Sequence, residues 1–189
     1  MARTKRLPDE AVLDAALELI HRRGPDSLTF ANLSEVCGLS PATLVQRFHG
    51  KPELVQAALL RAWDRLDEKT ARLASELPKT PDGAVRMLVG LSGSYGGIEE
   101  YAEGLLVLRE DFRDPVLRAR GAAWKAALSA ALDACFADVA LAPEGIGLLM
   151  ASQWQGSLLW WAFEPDERLD IHVEKSLRSF VRALGASRT

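Results

Sequence analysis

TFANLSEVCGLSPATLVQRFHGKPE, residues 29–53, is the stretch whose reading decides the fold. Leu28, Phe30, Leu33 and Val36 fall on one apolar stripe, and Thr29 is placed to cap the helix that begins at Phe30. Cys37-Gly38 closes that helix, because glycine takes the left-handed conformation a helix end requires. Ser40 is then an N-cap with Pro41 at the first helical position, where proline's missing donor costs nothing. The second helix, residues 41–47, turns Leu44 inward with Phe48 just past its end, and leaves Thr43, Val45, Gln46 and Arg47 pointing elsewhere. Two short helices around a turn of about four residues have helix-turn-helix geometry, in which the second helix lies in the DNA major groove.

Ala15-Ala16, Leu19, Gly24, Thr29, Leu33, the Gly38-Leu39-Ser40 turn, Thr43-Leu44, Phe48, Lys51 and Leu54 form a more specific pattern. Through them residues 12–59 resemble the N-terminal domain of the tetracycline-repressor (TetR) family of bacterial transcriptional regulators. The resemblance implies an all-α protein, with a three-helix DNA-binding head joined by a long helix to a helical ligand-binding and dimerisation domain. It also implies that a small effector releases the DNA. The family usually carries tyrosine where this chain has Val45, which implies one DNA-backbone contact fewer.

Hydrophobic residues make up 48% of the 189-residue chain and charged residues 26%, a balance that suits a globular protein with a substantial core and not a disordered one. The net charge of −3 is unevenly spread. Residues 1–51 hold seven Lys/Arg against six Asp/Glu, whereas the remainder holds sixteen against twenty. Nucleic-acid binding is therefore expected at one end, through placed side chains and helix termini more than bulk charge. Cys37 and Cys135 are too isolated for a disulfide framework or a metal site, and no signal peptide opens the chain, so a reducing cytoplasm is expected. His21, His49 and His172 are scattered, and no phosphate loop, HExxH motif or nucleophile–base pair occurs. Neither catalysis nor a cofactor is expected.

A basic arm with Arg3, Lys5 and Arg6 precedes a first helix over residues 8–23, which Gly24-Pro25 stops. Gly50-Lys51 opens a fourth helix, whose N-terminus and lysine suit a phosphate oxygen. The candidate DNA-facing set is thus Thr29, Ser40, Pro41, Ala42, Thr43, Val45, Gln46, Arg47, His49 and Lys51. Within it, Arg47 offers a fork to guanine, Gln46 a pair to adenine, and Pro41 and Ala42 contacts to thymine methyls. Thr29, Thr43 and Lys51 reach phosphates, which sets register without reading sequence.

The fourth helix keeps a helical period from Lys51 to Leu77, a natural lever out of the head. We divide the chain at this point, with a DNA-binding domain over residues 1–51 and a helical effector-binding and dimerisation domain over 52–189. Further helices are expected over 80–95, 98–112, 114–136, 143–163 and 167–184. Residues 146–163 carry no charge and are apolar on nearly every face. Ser152, Gln153, Gln155 and Ser157 at their centre argue against a membrane span and for burial against a partner helix. The resemblance implies that this helix and the last one build a four-helix dimer interface. Gly156, Leu159, Trp160 and Phe163 would contribute from the first, with Val173, Leu177, Phe180, Val181 and Leu184 from the second. It likewise implies an effector pocket in the middle helices. Candidate lining residues are Tyr95, Tyr101, Leu105, Leu108 and Phe112, followed by Trp124, Leu128, Met150 and Trp154; the tryptophans favour an apolar ligand.

These readings converge on a homodimeric repressor of a palindromic double-stranded operator, released by a small molecule. The rival is a helical dimer whose degenerate DNA-binding domain acts through protein contacts.

Overall fold

The computed structural model describes residues 7–93, 97–140 and 142–185. Among them are nine α-helices and no strand: α1 (Asp9–Arg23), α2 (Phe30–Cys37), α3 (Pro41–Phe48), α4 (Lys51–Glu76), α5 (Pro81–Ser92), α6 (Ile98–Arg113), α7 (Pro115–Asp133), α8 (Ile146–Trp161) and α9 (Leu169–Ala183). The arm residues Arg3, Lys5 and Arg6 and the candidate Tyr95 lie outside the described residues.

Helix starts follow the capping residues. Thr80 Oγ1 accepts the Gly83 amide at 3.1 Å, and Asp114 Oδ1 accepts the Val116 and Leu117 amides at 2.7 and 3.2 Å. Gln56 donates to the other Asp114 oxygen at 2.7 Å. That bond, helped by the capped amides and Arg118, holds the Asp114 carboxyl below its usual range. The start of α8 differs from expectation. It begins at Ile146 and not at Pro143, after Gly145 at φ 72°, and the Gly147 amide donates to Asp133 Oδ1 at 2.7 Å. A Cβ on Gly147 would sit 2.0 Å from the Ser129 carbonyl oxygen, so only glycine allows this approach to α7.

The chain falls into two compact units. One runs as far as Arg65 and adds Ala102–Gly121; the other holds Leu66–Tyr101 and continues from Ala122. The first is built on a core of Val12, Ala16, Ile20, Leu28, Leu33, Leu44 and Leu54, joined by Leu117. Arg61 and Arg65 both pair with Asp14, at 3.1 and 2.8 Å. The indole of Trp63 donates to Asp111 Oδ1 at 3.1 Å.

Asp111 is buried, and burial pushes its carboxyl up, opposed by the Trp63 bond and reinforced by the Asp114 charge. A carboxyl raised in the folded state stabilises fully below its unfolded pKa, and that stability is lost as pH rises through the folded value. Asparagine keeps an oxygen for Trp63 and does not ionise. Asp111→Asn is therefore expected to melt higher than wild type at neutral pH and to match it at pH 3, which a pair of calorimetric scans would read.

In the second unit α9 packs on both α5 and α8. Val173, Leu177 and Val181, assigned above to a subunit interface, instead fill this unit's own core, at 0, 0 and 6% exposure. The apolar stripe on α9 has its partners within the chain. Phe180 and Leu184 are half-buried beside it, whereas Leu159, Trp160 and Phe163 on and just after α8 are exposed. No helix among the described residues is long and apolar enough to cross a membrane.

Candidate nucleic-acid interface

Local bonds set the angle between α2 and α3. Thr29 Oγ1 accepts the Asn32 amide at 3.1 Å, and the Asn32 side chain donates to the Ser27 carbonyl at 2.7 Å. Ser27 in turn donates to Leu19 and Gly24 carbonyls at 3.1 and 2.7 Å, which locks the turn after α1 to the start of α2. Gly38 ends α2 at φ 71°, ψ 15°, the left-handed residue its position demands. Ser40 Oγ accepts the Thr43 amide at 3.2 Å and shares a 2.9 Å bond with the Thr43 hydroxyl. Thr29, Ser40 and Thr43 thus have structural partners already. Val36 departs from the expected stripe: at 54% exposure it faces solvent, and Leu33 alone of α2 is fully buried.

Leu44 and Phe48 anchor α3 from below. Its opposite side carries Pro41, Ala42, Val45 and Gln46, all exposed, with exposed His49 continuing the same face past the helix end. Positions i, i+1, i+4, i+5 and i+8 make one continuous strip at helical period. Because the strip ends in a glutamine amide and an imidazole amid small apolar groups, it has the size and polarity to meet base edges. Arg47 is not part of it. Its Nη1 donates to the Leu7 carbonyl at 2.7 Å and to Asp9 Oδ1 at 3.1 Å, and the side chain is 23% exposed. Lys51 is exposed, with its ammonium 3.3 Å from the Asp26 carbonyl oxygen.

The exit from α3 holds a feature that sequence reading missed. His49 sits at φ 63°, ψ −49°, and the Gly50 amide donates to the Phe48 carbonyl at 2.7 Å, closing a γ-turn of the positive-φ kind. Such turns are rare and strained for a residue with a Cβ. A histidine before a glycine is a weak hint, and no periodicity bears on it. Glycine takes positive φ without that penalty, so His49→Gly is expected to stabilise the chain by about 1 kcal/mol in chemical denaturation.

Nine expected pocket residues separate into three groups. Tyr101, Trp124, Leu128, Met150 and Trp154 are buried; Leu105, Leu108 and Phe112 are exposed, the last at 61%; Tyr95 lies outside the described residues. Trp124 donates to Thr70 Oγ1 at 3.0 Å and Trp154 to Ser92 Oγ at 2.8 Å, with the two indoles 6.3 Å apart. Tyr101 and Trp161 meet edge to face at the same spacing, and burial pushes the Tyr101 hydroxyl's pKa up. A recess of about 530 Å³ opens elsewhere, between Trp160, Phe163, Glu164, Asp166, Glu167 and His172. Among the described residues, no group of three or more His, Cys, Asp or Glu could hold a metal ion.

Residues 12–58 match the family model of bacterial regulatory proteins, tetR family, a span that holds α1 from Val12 onward, all of α2 and α3, and the start of α4. The head is a tetR-family domain. Solved structures extend the likeness in fold along the chain. A proposed transcriptional regulator from Saccharomonospora viridis, in complex with choline, is 18% identical with a TM-score of 0.73, over 90% of this chain and 93% of that one. A transcriptional regulator from Rhodococcus sp. Rha1 is 15% identical with a TM-score of 0.71, over 93% and 96%. A tetR-family regulator from Streptomyces coelicolor is 21% identical with a TM-score of 0.67, over 94% and 84%. The comparison with curated proteins gave no match. The tetR-family head, followed by helices of the same overall fold, supports a DNA-binding regulator.

Proposed function

We propose that the protein is a homodimeric transcriptional repressor that binds a palindromic operator through α3 and leaves it when a small molecule binds the helices after residue 51. The exposed strip Pro41, Ala42, Val45, Gln46 and His49 carries this reading, because a tetR-family head presents it with its opposite side sealed in the core. On and just after α8, Leu148, Leu159, Trp160 and Phe163 are apolar and exposed, at 44 to 72%, which favours their burial against a second copy. A two-fold would then set two α3 helices about 34–36 Å apart, one turn of duplex. The effector would meet the surroundings of Trp124, Leu128, Met150 and Trp154, and an apolar or aromatic molecule suits that lining. Because a relative of the same fold was solved with choline, small cations with an apolar skeleton belong in the first screen.

A gel shift with the DNA upstream of the protein's own gene tests the reading. Wild type is expected to shift it and Gln46→Ala to weaken the specific complex by about 5- to 150-fold. If wild type shifts no such fragment while remaining dimeric, the rival reading of a head acting through protein contacts takes over. Salt dependence supplies a second check. Lys51→Ala is expected to lower the slope of log affinity against log salt by about 1 if the ammonium leaves the Asp26 carbonyl for a phosphate.

A further inference from the structure

We propose that Arg47 is a positioning residue, which ties the reading helix α3 to the start of α1 and leaves base reading to Gln46; this rests on the DNA-binding reading above. Arg47 and Gln46 are neighbours in sequence, yet they leave α3 in different directions. Gln46 is exposed, whereas Arg47 is 23% exposed and spends Nη1 on two acceptors, the Leu7 carbonyl at 2.7 Å and Asp9 Oδ1 at 3.1 Å. Those acceptors lie 40 and 38 residues earlier in the chain, so the contact is a long-range tie and not a local helix pair.

Both acceptors are well placed for the role. Asp9 is the first residue of α1, where a carboxylate is favoured by the helix's partial positive charge before any arginine arrives. The Leu7 carbonyl precedes the Pro8 N-cap, and a charged donor to it makes a stronger bond than a neutral one. To reach a guanine, Arg47 would have to give up both bonds and leave Asp9 without this cation. Gln46 has no such cost, because it already stands in solvent on the outer strip.

An 8-residue helix needs this kind of restraint. Leu44 and Phe48 hold α3 on its buried side, but two apolar anchors on one line resist rolling poorly. A polar tie off that line fixes the roll, and a reading side chain must be held within about 10–20° of its productive direction.

The test uses a duplex selected by the wild-type protein from a random-sequence library, together with all single-base variants of that duplex. Asp9→Asn and Arg47→Ala are each expected to weaken binding several-fold on every duplex and to leave the pattern of base preference unchanged. The Asp9→Asn/Arg47→Ala double variant should bind no worse than Arg47→Ala, and Arg47→Lys should recover part of the loss through its single ammonium. Gln46→Ala should instead flatten the preference at one base pair by about 5- to 150-fold. If Arg47→Ala flattens the preference at a base pair while Asp9→Asn does not, Arg47 is a reader and the tie is overturned, with wild-type DNA binding intact. If wild type selects no duplex, the DNA-binding reading fails and the tie fails with it. Should Arg47→Ala unfold, as circular dichroism would show, Asp9→Asn and Arg47→Lys carry the same comparison.

Discussion

Leu44→Ala is expected to destabilise the head by about 2–5 kcal/mol and to abolish DNA binding, because the lost side chain is fully buried and its surroundings refill such a space only in part. Leu44 belongs to the cluster of Leu28, Leu33, Phe48 and Leu54, which brings α2, α3 and α4 together. Only two buried side chains, Leu44 and Phe48, hold α3 to this cluster. Truncating one removes half of that anchorage, in a helix too short to persist by itself. Denaturant melts would read the stability loss, and gel shifts the binding loss. Exposed Val45, one residue on, is the natural control: Val45→Ala should change stability by less than about 0.5 kcal/mol. Equal losses at the two positions would mean that α3 does not sit as described.

Helix boundaries were legible where a residue does a local job. Thr29, Ser40-Pro41, Thr80 and Asp114 mark starts because each can accept a backbone amide within a few residues, and in the structure each does. Periodicity, by contrast, reveals which side of a helix is apolar and not what covers it. The α9 stripe shows this: Val173, Leu177 and Val181 are buried as periodicity requires, but by α5 and α8 of the same chain. On α6, Leu105, Leu108 and Phe112 repeat at helical spacing yet are exposed, so spacing did not reveal their burial.

The candidate site was legible to a similar depth. Subtracting cap and core from one short helix leaves Pro41, Ala42, Thr43, Val45, Gln46 and Arg47, and all but Thr43 and Arg47 are exposed on the outer strip. Two further features did not follow. The partner of Arg47 lies 38 residues away, so no window on the sequence contains the pair. The γ-turn at His49 is imposed by the chain having to leave α3 and enter α4 within two residues, a tertiary demand that overrides histidine's own preference.

Trp154→Ala is the second large effect, expected to cost about 3–5 kcal/mol. Trp154 is 1% exposed, its indole nitrogen donates to Ser92 Oγ at 2.8 Å, and its ring lies 6.3 Å from that of Trp124. Truncation therefore removes a large apolar body, an aromatic neighbour and one hydrogen bond together. The hydroxyl of Ser92 keeps a partner, because it donates to the Leu88 carbonyl at 2.8 Å, so the loss is chiefly one of packing. Trp154→Phe should accordingly lose less than Trp154→Ala. The alanine variant would leave a largely apolar void, and such voids take up apolar molecules of matching shape. Added indole should then raise the melting temperature of Trp154→Ala and not that of wild type. The same measurement bears on the effector, since a region that is already a pocket would respond differently. If Trp154→Ala costs under about 1 kcal/mol, the ring is lightly packed, and the space around Trp124 and Trp154 is available to a ligand without truncation.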